Sequence, residues 1–169
     1  MDGTLRTIRP AAASDFGTVM SLLDSGRGIM HSSGNVNQWP QGTPAPSKVR
    51  ADIAGGHSYL VLDEGVPVAT FAFIPGPDPT YSRIDGGEWL SDGPYCVIHR
   101  IAKLPSARGI FDFVLDWCFT RSADIRIDTH RDNAIMRRCL ERYGFAYCGI
   151  IYLENGDERL AFEKIQPSL

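Results

Sequence analysis

The stretch that most constrains this chain runs from Tyr95 to Trp117, YCVIHRIAKLPSARGIFDFVLDW. Tyr95 to Lys103 is rich in β-branched and apolar side chains and suits a buried strand. Leu104-Pro105-Ser106-Ala107 breaks that pattern, Arg108-Gly109 turns, and the apolar positions 110, 111, 114, 115 and 118 then follow helical spacing. A strand, a tight turn and a helix start in that order leave the first N–H groups of the helix open beside the end of the strand. Those groups have no partner inside the helix, and the helix dipole adds partial positive charge. Such a turn suits an anion, although many connections of this shape bind nothing.

The rest of the chain supplies the layers around it. Thr4 to Arg9 alternates as a short strand ending at Pro10. Ser14 or Asp15 can cap a helix through Phe16, Val19, Met20, Leu22 and Leu23, and Gly26 and Gly28 weaken its continuation. His31 to Ser47, rich in Gly, Pro, Ser and Asn, reads as a long irregular segment. Segments of that length inside a domain tend to be functional or mobile. Ser47 then caps a short helix, Lys48 to Ala54, closed by Gly55-Gly56. His57 to Leu62 and Val66 to Ile74 form a hairpin around Asp63-Glu64-Gly65. Pro75-Gly76-Pro77-Asp78-Pro79 ends it, and Thr80 to Pro94 is loop-like. After the central stretch come a strand at Ile125 to Thr129 and a helix at Asn133 to Tyr143, stopped by Gly144-Phe145. A closing hairpin, Phe145 to Leu153 and Glu158 to Ile165, turns at Asn155-Gly156. This order predicts an α/β (mixed α+β) fold with one mixed sheet flanked by helices, and residues 1–169 read as a single domain.

Bulk properties exclude several function classes. With a net charge of −3 and a pI near 5.8 there is no global basic field for nucleic acid or an anionic membrane. No apolar run is long enough to span a bilayer, and Met1-Asp2-Gly3-Thr4-Leu5 is not a signal peptide, so a cytoplasmic location is expected. Cys96, Cys118, Cys139 and Cys148 show no CxxC pairing and sit in apolar-patterned segments, as buried free thiols do in a reducing compartment. No two histidines have metal-ligand spacing, and no metal is expected.

RIAKLPSARGIFDFVLDW and RIDTHRDNAIMRRCLERYGF together resemble the GNAT superfamily of acetyl-coenzyme-A-dependent acetyltransferases, and the resemblance extends from the opening IRPAAASDF to the last strand. It implies a mixed, largely antiparallel sheet and acetyl-CoA as co-substrate. It also implies an N-acetyltransferase acting on the amine of a small molecule or peptide, as a monomer or homodimer. The backbone of Ile101, Ala102 and Lys103 would hydrogen-bond the pantetheine arm like an added strand. The N–H groups of Ala107, Arg108, Gly109, Ile110, Phe111 and Asp112 would take the pyrophosphate, and Asn133 matches the family Asn beside the pantetheine. Two positions depart from the family. Its loop reads Arg or Gln, two residues, Gly, one residue, then Gly or Ala. Aligned on Asp116-Trp117, those positions are Ser106, Gly109 and Phe111. Either Phe111 turns into the core with Val114 and Leu115, or cofactor binding is impaired. The family's proton-donating Tyr falls on Leu140, and Tyr143 does not replace it. The sulfur proton then comes from water or from another tyrosine such as Tyr147 or Tyr152. These departures motivate the alternative of a non-catalytic acyl-CoA sensor or scaffold, and a larger acyl donor is a third option.

The chemistry needs a base, because an alkylammonium of pKa about 10.4 cannot attack while protonated. His99 is placed by strand alternation on the face of Val97 and Ile101, where the resembling enzymes carry their base. The other reading is a histidine packed at the sheet surface. Glu88 and Asp85 are the carboxylate alternatives. Gln38 and Trp39 could wall the acceptor pocket, or Trp39 could simply anchor the core. Asn133 could equally cap the helix that follows it. Arg126 and Arg83 could pair with Asp128 and Asp85.

Overall fold

The computed structural model describes residues 3–167, so Met1 and Asp2, part of the segment read above as lacking a signal peptide, lie outside it, as do Ser168 and Leu169. In chain order it runs β1 (Arg6–Pro10), a 3-10 turn at Ala13–Asp15, α1 (Phe16–Ser32), α2 (Pro46–Ala54), β2 (Ser58–Asp63) and β3 (Val66–Pro75). A second 3-10 turn at Pro79–Tyr81 precedes β4 (Cys96–Lys103), α3 (Ile110–Phe119), β5 (Asp124–Thr129), α4 (Ala134–Tyr143), β6 (Ala146–Tyr152) and β7 (Glu158–Ile165). The strands form one seven-stranded sheet of order β1-β2-β3-β4-β5-β7-β6. Every neighbouring pair is antiparallel except β4 and β5. That is the mixed, largely antiparallel sheet that the sequence implies.

One face of the sheet is closed by α3, whose Ile110, Phe111, Val114, Leu115 and Cys118 are all buried, as their helical spacing requires. Full burial of Val114 and Leu115 is worth roughly 1.5–3 kcal/mol each. They pack with Val61, Phe71, Ile98, Ile125 and Ile127, and α4 adds Leu140. The opposite face is shared. Helix α1 lays Val19, Leu22 and Leu23 over Leu60, Leu62 and Ala102 at one end, with Val49 of α2. At the other end the 76–95 segment folds Tyr81 down onto Val97, Ile151 and Ala161.

Two helix boundaries differ from the sequence reading by more than one residue. Helix α1 continues through Gly26 and Gly28 to Ser32. Gly26 is a contact surface: a Cβ placed there would lie 2.6 Å from the Ala102 Cβ on β4, and Ser25 alongside donates from Oγ to the Lys103 carbonyl at 2.9 Å. Only a residue without a side chain lets helix and strand approach this closely. Helix α2 starts at Pro46 rather than at Lys48, because proline pre-sets the backbone for the first helical position, and Ser47 makes no cap.

Strand β4 carries a bulge that sets up the functional region. Thr70 pairs with Ala102 and Ala72 with His99, so Arg100 and Ile101 together oppose Phe71. Arg100 has φ of 53°, a left-handed conformation uncommon for a residue with a side chain. Its guanidinium is clamped by both oxygens of Asp52 on α2, at 2.7 and 2.9 Å. The extra residue inverts the alternation. Ile101 turns to the α3 side with Ile98, and His99 keeps Val97 as its neighbour in parity but loses Ile101. The shared face expected for Val97, His99 and Ile101 therefore stops at the bulge.

Gly26→Ala is expected to destabilise the fold by about 1–3 kcal/mol, because the α1–β4 contact has no room for a methyl. Gly28→Ala has nothing within 4 Å of the new methyl. It should be neutral or stabilise by about 0.5–1 kcal/mol through helix propensity. Denaturant midpoints of the two variants test this, and a Gly26→Ala chain as stable as the parent would refute the contact.

Candidate active site

Strands β4 and β5 pair at only Cys96 with Ile125 and Val97 with Arg126, and then part. Beyond that point β4 has β3 on one side and an open wedge on the other. The Leu104 N–H bonds the Val68 carbonyl at 2.9 Å, so by ladder alternation the N–H groups of Lys103 and Ile101 point away from β3, into the wedge. Ala102, between them, faces β3 with its backbone. A strand edge of this kind offers main-chain hydrogen bonds to an extended ligand.

Two cavities open from the wedge. The first, about 300 Å³, is lined by Ile101, Ala102, Lys103, Ala107, Arg108, Gly109, Ile110, Phe111 and Asn133, with Met136 and Cys139. The second, about 540 Å³, is lined by Gln38, Trp39, Asp78, His99, Asp128 and Arg159 among others. Met30, Ile101 and Met136 border both, so the two meet around these residues.

The turn before α3 is built as an anion cradle. Gly109, at φ of 69°, is the N-cap residue, and the first helical bond runs from the Phe113 N–H to its carbonyl. The N–H groups of Ile110, Phe111 and Asp112 therefore precede the helical ladder. Ala107 does not join them, because its N–H already bonds the Leu104 carbonyl at 3.1 Å and its side chain is in the core. Phe111 turns into the core: it is 9% exposed, packed among the α3 core residues and edge-on to Tyr143 with centroids 6.1 Å apart. Its ring does not plug the cradle. Lys103, Arg108 and Arg142 add positive charge around this cavity, Arg142 tied to the Asp112 carboxylate at 2.9 Å. Burial, and after it the charge of Arg108, lowers the Lys103 pKa.

Asn133 caps α4, its Oδ1 accepting from the Met136 N–H at 3.0 Å. Its Nδ2 donates to Gln38 Oε1 at 3.0 Å, and the same oxygen also accepts from Asn35 at 2.9 Å. Thr129 Oγ1 and the His130 N–H approach it at 3.3 and 3.4 Å. One amide oxygen thus fastens the 33–45 loop to β5 and α4. Trp39 borders the larger cavity and packs against α1, and its carbonyl bonds the His31 ring at 2.9 Å.

His99 sits in the larger cavity between two carboxylates. Its Nε2 lies 2.9 Å from Asp78 Oδ2 and its Nδ1 3.9 Å from Asp128 Oδ2. Burial alone would raise the Asp78 pKa, but hydrogen bonds from His99 and Thr80 outweigh it and hold the carboxyl at about 2. An ionised carboxylate only accepts, so the neutral ring carries its hydrogen on Nε2 and leaves Nδ1 as the basic nitrogen. Asp128 in turn accepts from the buried Tyr81 hydroxyl at 2.6 Å. The arrangement can orient an imidazole, take a proton at Nδ1 and stabilise the cation so formed.

The carboxylate alternatives lie elsewhere. Glu88 is exposed on the 82–95 loop and lines neither cavity. Asp85 is occupied by Arg83 and the Tyr152 hydroxyl, both at 2.8 Å. Tyr143 donates to Asp116 at 2.6 Å, Tyr147 is 54% exposed, and no described tyrosine lines either cavity. Arg126 pairs with Glu163 at 3.1 Å rather than with Asp128, sandwiched between Trp89 and Tyr95. The sequence reading assigned no site role to Asp78, Asp128, Arg100 or Arg159. Asp78 comes from a proline-rich turn with no local mark of its partner. Asp128 was legible only as a polar position in an alternating strand. Among the described residues no group of three His, Cys, Asp or Glu could hold a metal ion.

No protein-family model and no curated protein matches the chain. Solved structures do. A GNAT-family acetyltransferase from Streptococcus agalactiae superposes with a TM-score of 0.87 and 30% identity, covering 96% of each chain. A GNAT-family acetyltransferase from Listeria monocytogenes gives a TM-score of 0.72 at 19% identity over 97% of this chain and 96% of that one. A NatC complex bound to Gag peptide and CoA shares the fold at 12% identity, with a TM-score of 0.60 over 96% of this chain and 99% of that one.

The Asp78–His99 contact has a consequence for acid stability. Asp78 is held below its usual 3.8, at about 2, so its contribution is complete above about pH 4 and is lost as pH falls toward 2. Asp78→Asn should lower the melting temperature at neutral pH, and the gap to the parent should narrow as pH drops from about 4 to 2. A gap that stays constant over that window would remove the ionised Asp78 from the argument.

Proposed function

Because the chain belongs to the GNAT superfamily of acetyltransferases, we propose that it is an N-acetyltransferase moving acetyl from acetyl-CoA to the amine of a small molecule or peptide. The observation that carries this reading is the wedge between β4 and β5, with an anion cradle at one end and an Asp-oriented histidine at the other. Acetyl-CoA supplies the activated thioester. The Ile101 and Lys103 N–H groups would hold its arm as a neighbouring strand would, and the N–H groups of Ile110, Phe111 and Asp112, with Arg108 beside them, would face its pyrophosphate. Asn133 contributes the cavity wall and the cap of α4.

On the acceptor side Asp128 attracts the ammonium, His99 Nδ1 removes the proton that blocks attack, and Asp78 holds the ring and balances its charge. The departing thiol, of pKa about 8.5 if it resembles cysteine, needs little help, and water delivers its proton. That accounts for a site with Leu140 where the family has a tyrosine. No described helix is long and apolar enough to cross a membrane, and we place the activity in the cytoplasm.

Acetyl-CoA at a hundred times its dissociation constant should stabilise the protein by about 2.7 kcal/mol, readable as a rise in melting temperature. An unmoved melting temperature at millimolar acetyl-CoA defeats the reading. Binding without CoA release across a broad amine panel would instead favour a non-catalytic acyl-CoA sensor, the reading that the missing tyrosine allows.

His99→Gln should cut turnover by about 10²-fold or more at pH 7 and by clearly less at pH 9, where more of the amine is already neutral. Equal losses at both pH values, followed by CoA release, would argue that His99 is not the base.

A further inference from the structure

Arg159 is the group in the larger cavity that the transfer chemistry leaves unused. It is 5% exposed on β7, yet it has no carboxylate within ion-pairing distance among the described residues. Its hydrogen bonds go to two carbonyls, Glu158 at 2.9 Å and Gln38 at 3.3 Å, and its Nε makes none. Two other poorly exposed arginines are fully served. Arg126 has Glu163, the Ser91 carbonyl and two aromatic faces, and Arg100 has both oxygens of Asp52. A guanidinium presents five donors and cannot shed its charge, so burying one without an anion is costly unless an anion arrives.

Its position says where that anion belongs. Asp128 pairs in register with Ala161, two residues from Arg159 on the same face of β7. His99, Asp128 and Arg159 therefore stand on the same face of β4, β5 and β7, three successive strands of the sheet. Asp78 and Asp128 make the His99 end of the cavity negative; toward the other end Arg159 is the buried cation, with Asp157 and Glu154 also on the wall and Asp128 and Asp157 acting on its charge from beyond ion-pairing distance. A molecule with a cationic amine at one end and an anionic oxygen group at the other matches this polarity, and a cavity of about 540 Å³ suits one of amino-acid size.

We propose that the acceptor is a small amino carboxylate, its carboxylate paired with Arg159 and its amine directed at His99 and Asp128. This rests on the acetyl-transfer reading. His99 takes one proton from the ammonium and releases it to solvent, the N–C bond forms as the C–S bond breaks, and the proton still in excess on nitrogen passes through water to the departing sulfur. The sulfur leaves with the bonding pair and is protonated by water. The products are the N-acetyl amino carboxylate, free CoA thiol and one net proton.

The test compares each common amino acid with its primary amide, which keeps the amine and removes the anion, following CoA thiol release by the full chain. The best acid should exceed its amide at least tenfold in kcat/KM. Arg159→Gln should raise the KM of that acid at least tenfold and leave the amide within about twofold, and Arg159→Lys should recover part of the loss. A merely structural arginine, pinning the Gln38 carbonyl, would lower acid and amide alike, and that result overturns the proposal. So do amides that match or exceed their acids with the parent protein. If no compound is acetylated, the melting temperature of the CoA-saturated protein decides. A shift with the acids and none with the amides upholds the anion site while the transfer reading falls, and no shift with either overturns the site as well. Should Arg159→Gln not fold, Arg159→Lys and the acid-to-amide ratio of the parent carry the same test.

Discussion

The parting of β4 from β5 is the constraint on which the rest of this structure depends. A parallel pair zipped along its length would satisfy its own main chain and leave nothing for a ligand. Here the pairing stops at Val97 and Arg126, and just beyond it on β4 the bulge places Arg100 at a positive φ. A side-chain-bearing residue in that conformation costs about 1–2 kcal/mol, offset by the bidentate Asp52 clamp from α2. The bulge also decides which residues meet. With regular alternation Ile101 would share His99's face; with one extra residue, Ile101 borders both cavities while His99 lines the larger one alone. A single ion pair between a helix and a strand thus separates the proposed base from the strand edge that would hold the donor.

Much of the frame was legible because it rests on local periodicity. The strand–turn–helix from Tyr95 to Trp117 and the Asn155-Gly156 hairpin appear where their patterns place them. Other features could not be read, for physical reasons. Gly26 looks like a helix breaker in sequence, and its actual use, contact with Ala102, involves a residue far along the chain. The bulge at Arg100 has no Gly, Pro or Asn to announce it. Asp78 and His99 are joined by a fold-back of the 76–95 segment that no spacing rule encodes. In β7 each parity carries two charges, Arg159 and Glu163 on one and Glu158 and Lys164 on the other, so alternation alone does not say which side faces solvent. Arg159 and Glu163 are the ones that are buried, Glu163 at 0% exposed.

Arg159 meets Gln38 of the 33–45 loop, while Glu163 is covered by the 76–95 segment, which acts as a lid on that half of the sheet. Its Trp89 and Tyr95 sandwich Arg126, its Leu90 N–H bonds Glu163 Oε2 at 3.1 Å, and Tyr81 reaches Asp128. A buried ion pair seldom adds net stability, because desolvation consumes most of the attraction. Its value here is positional. Arg126 and Glu163 fix the segment that delivers Asp78 to His99, so the charge cluster outside the cavities sets the geometry within them. Asp124 belongs to the same cluster. Burial, with Glu163 close by, raises the pKa of its carboxyl.

The 33–45 loop plays the corresponding role on the other side, and it does so through one atom. Gln38 Oε1 receives Asn133, the N-cap of the helix beside the smaller cavity, while its own residue lines the larger one. An acceptor that displaces the loop would therefore pull on Asn133 and, through the cap, on the first turn of α4. Met136, whose N–H that cap receives, borders both cavities. The two cavities, and with them the proposed acceptor and donor sites, share a mechanical connection as well as an opening. Variation in the loop is consequently confined by the need to keep a hydrogen-bond-accepting oxygen at position 38.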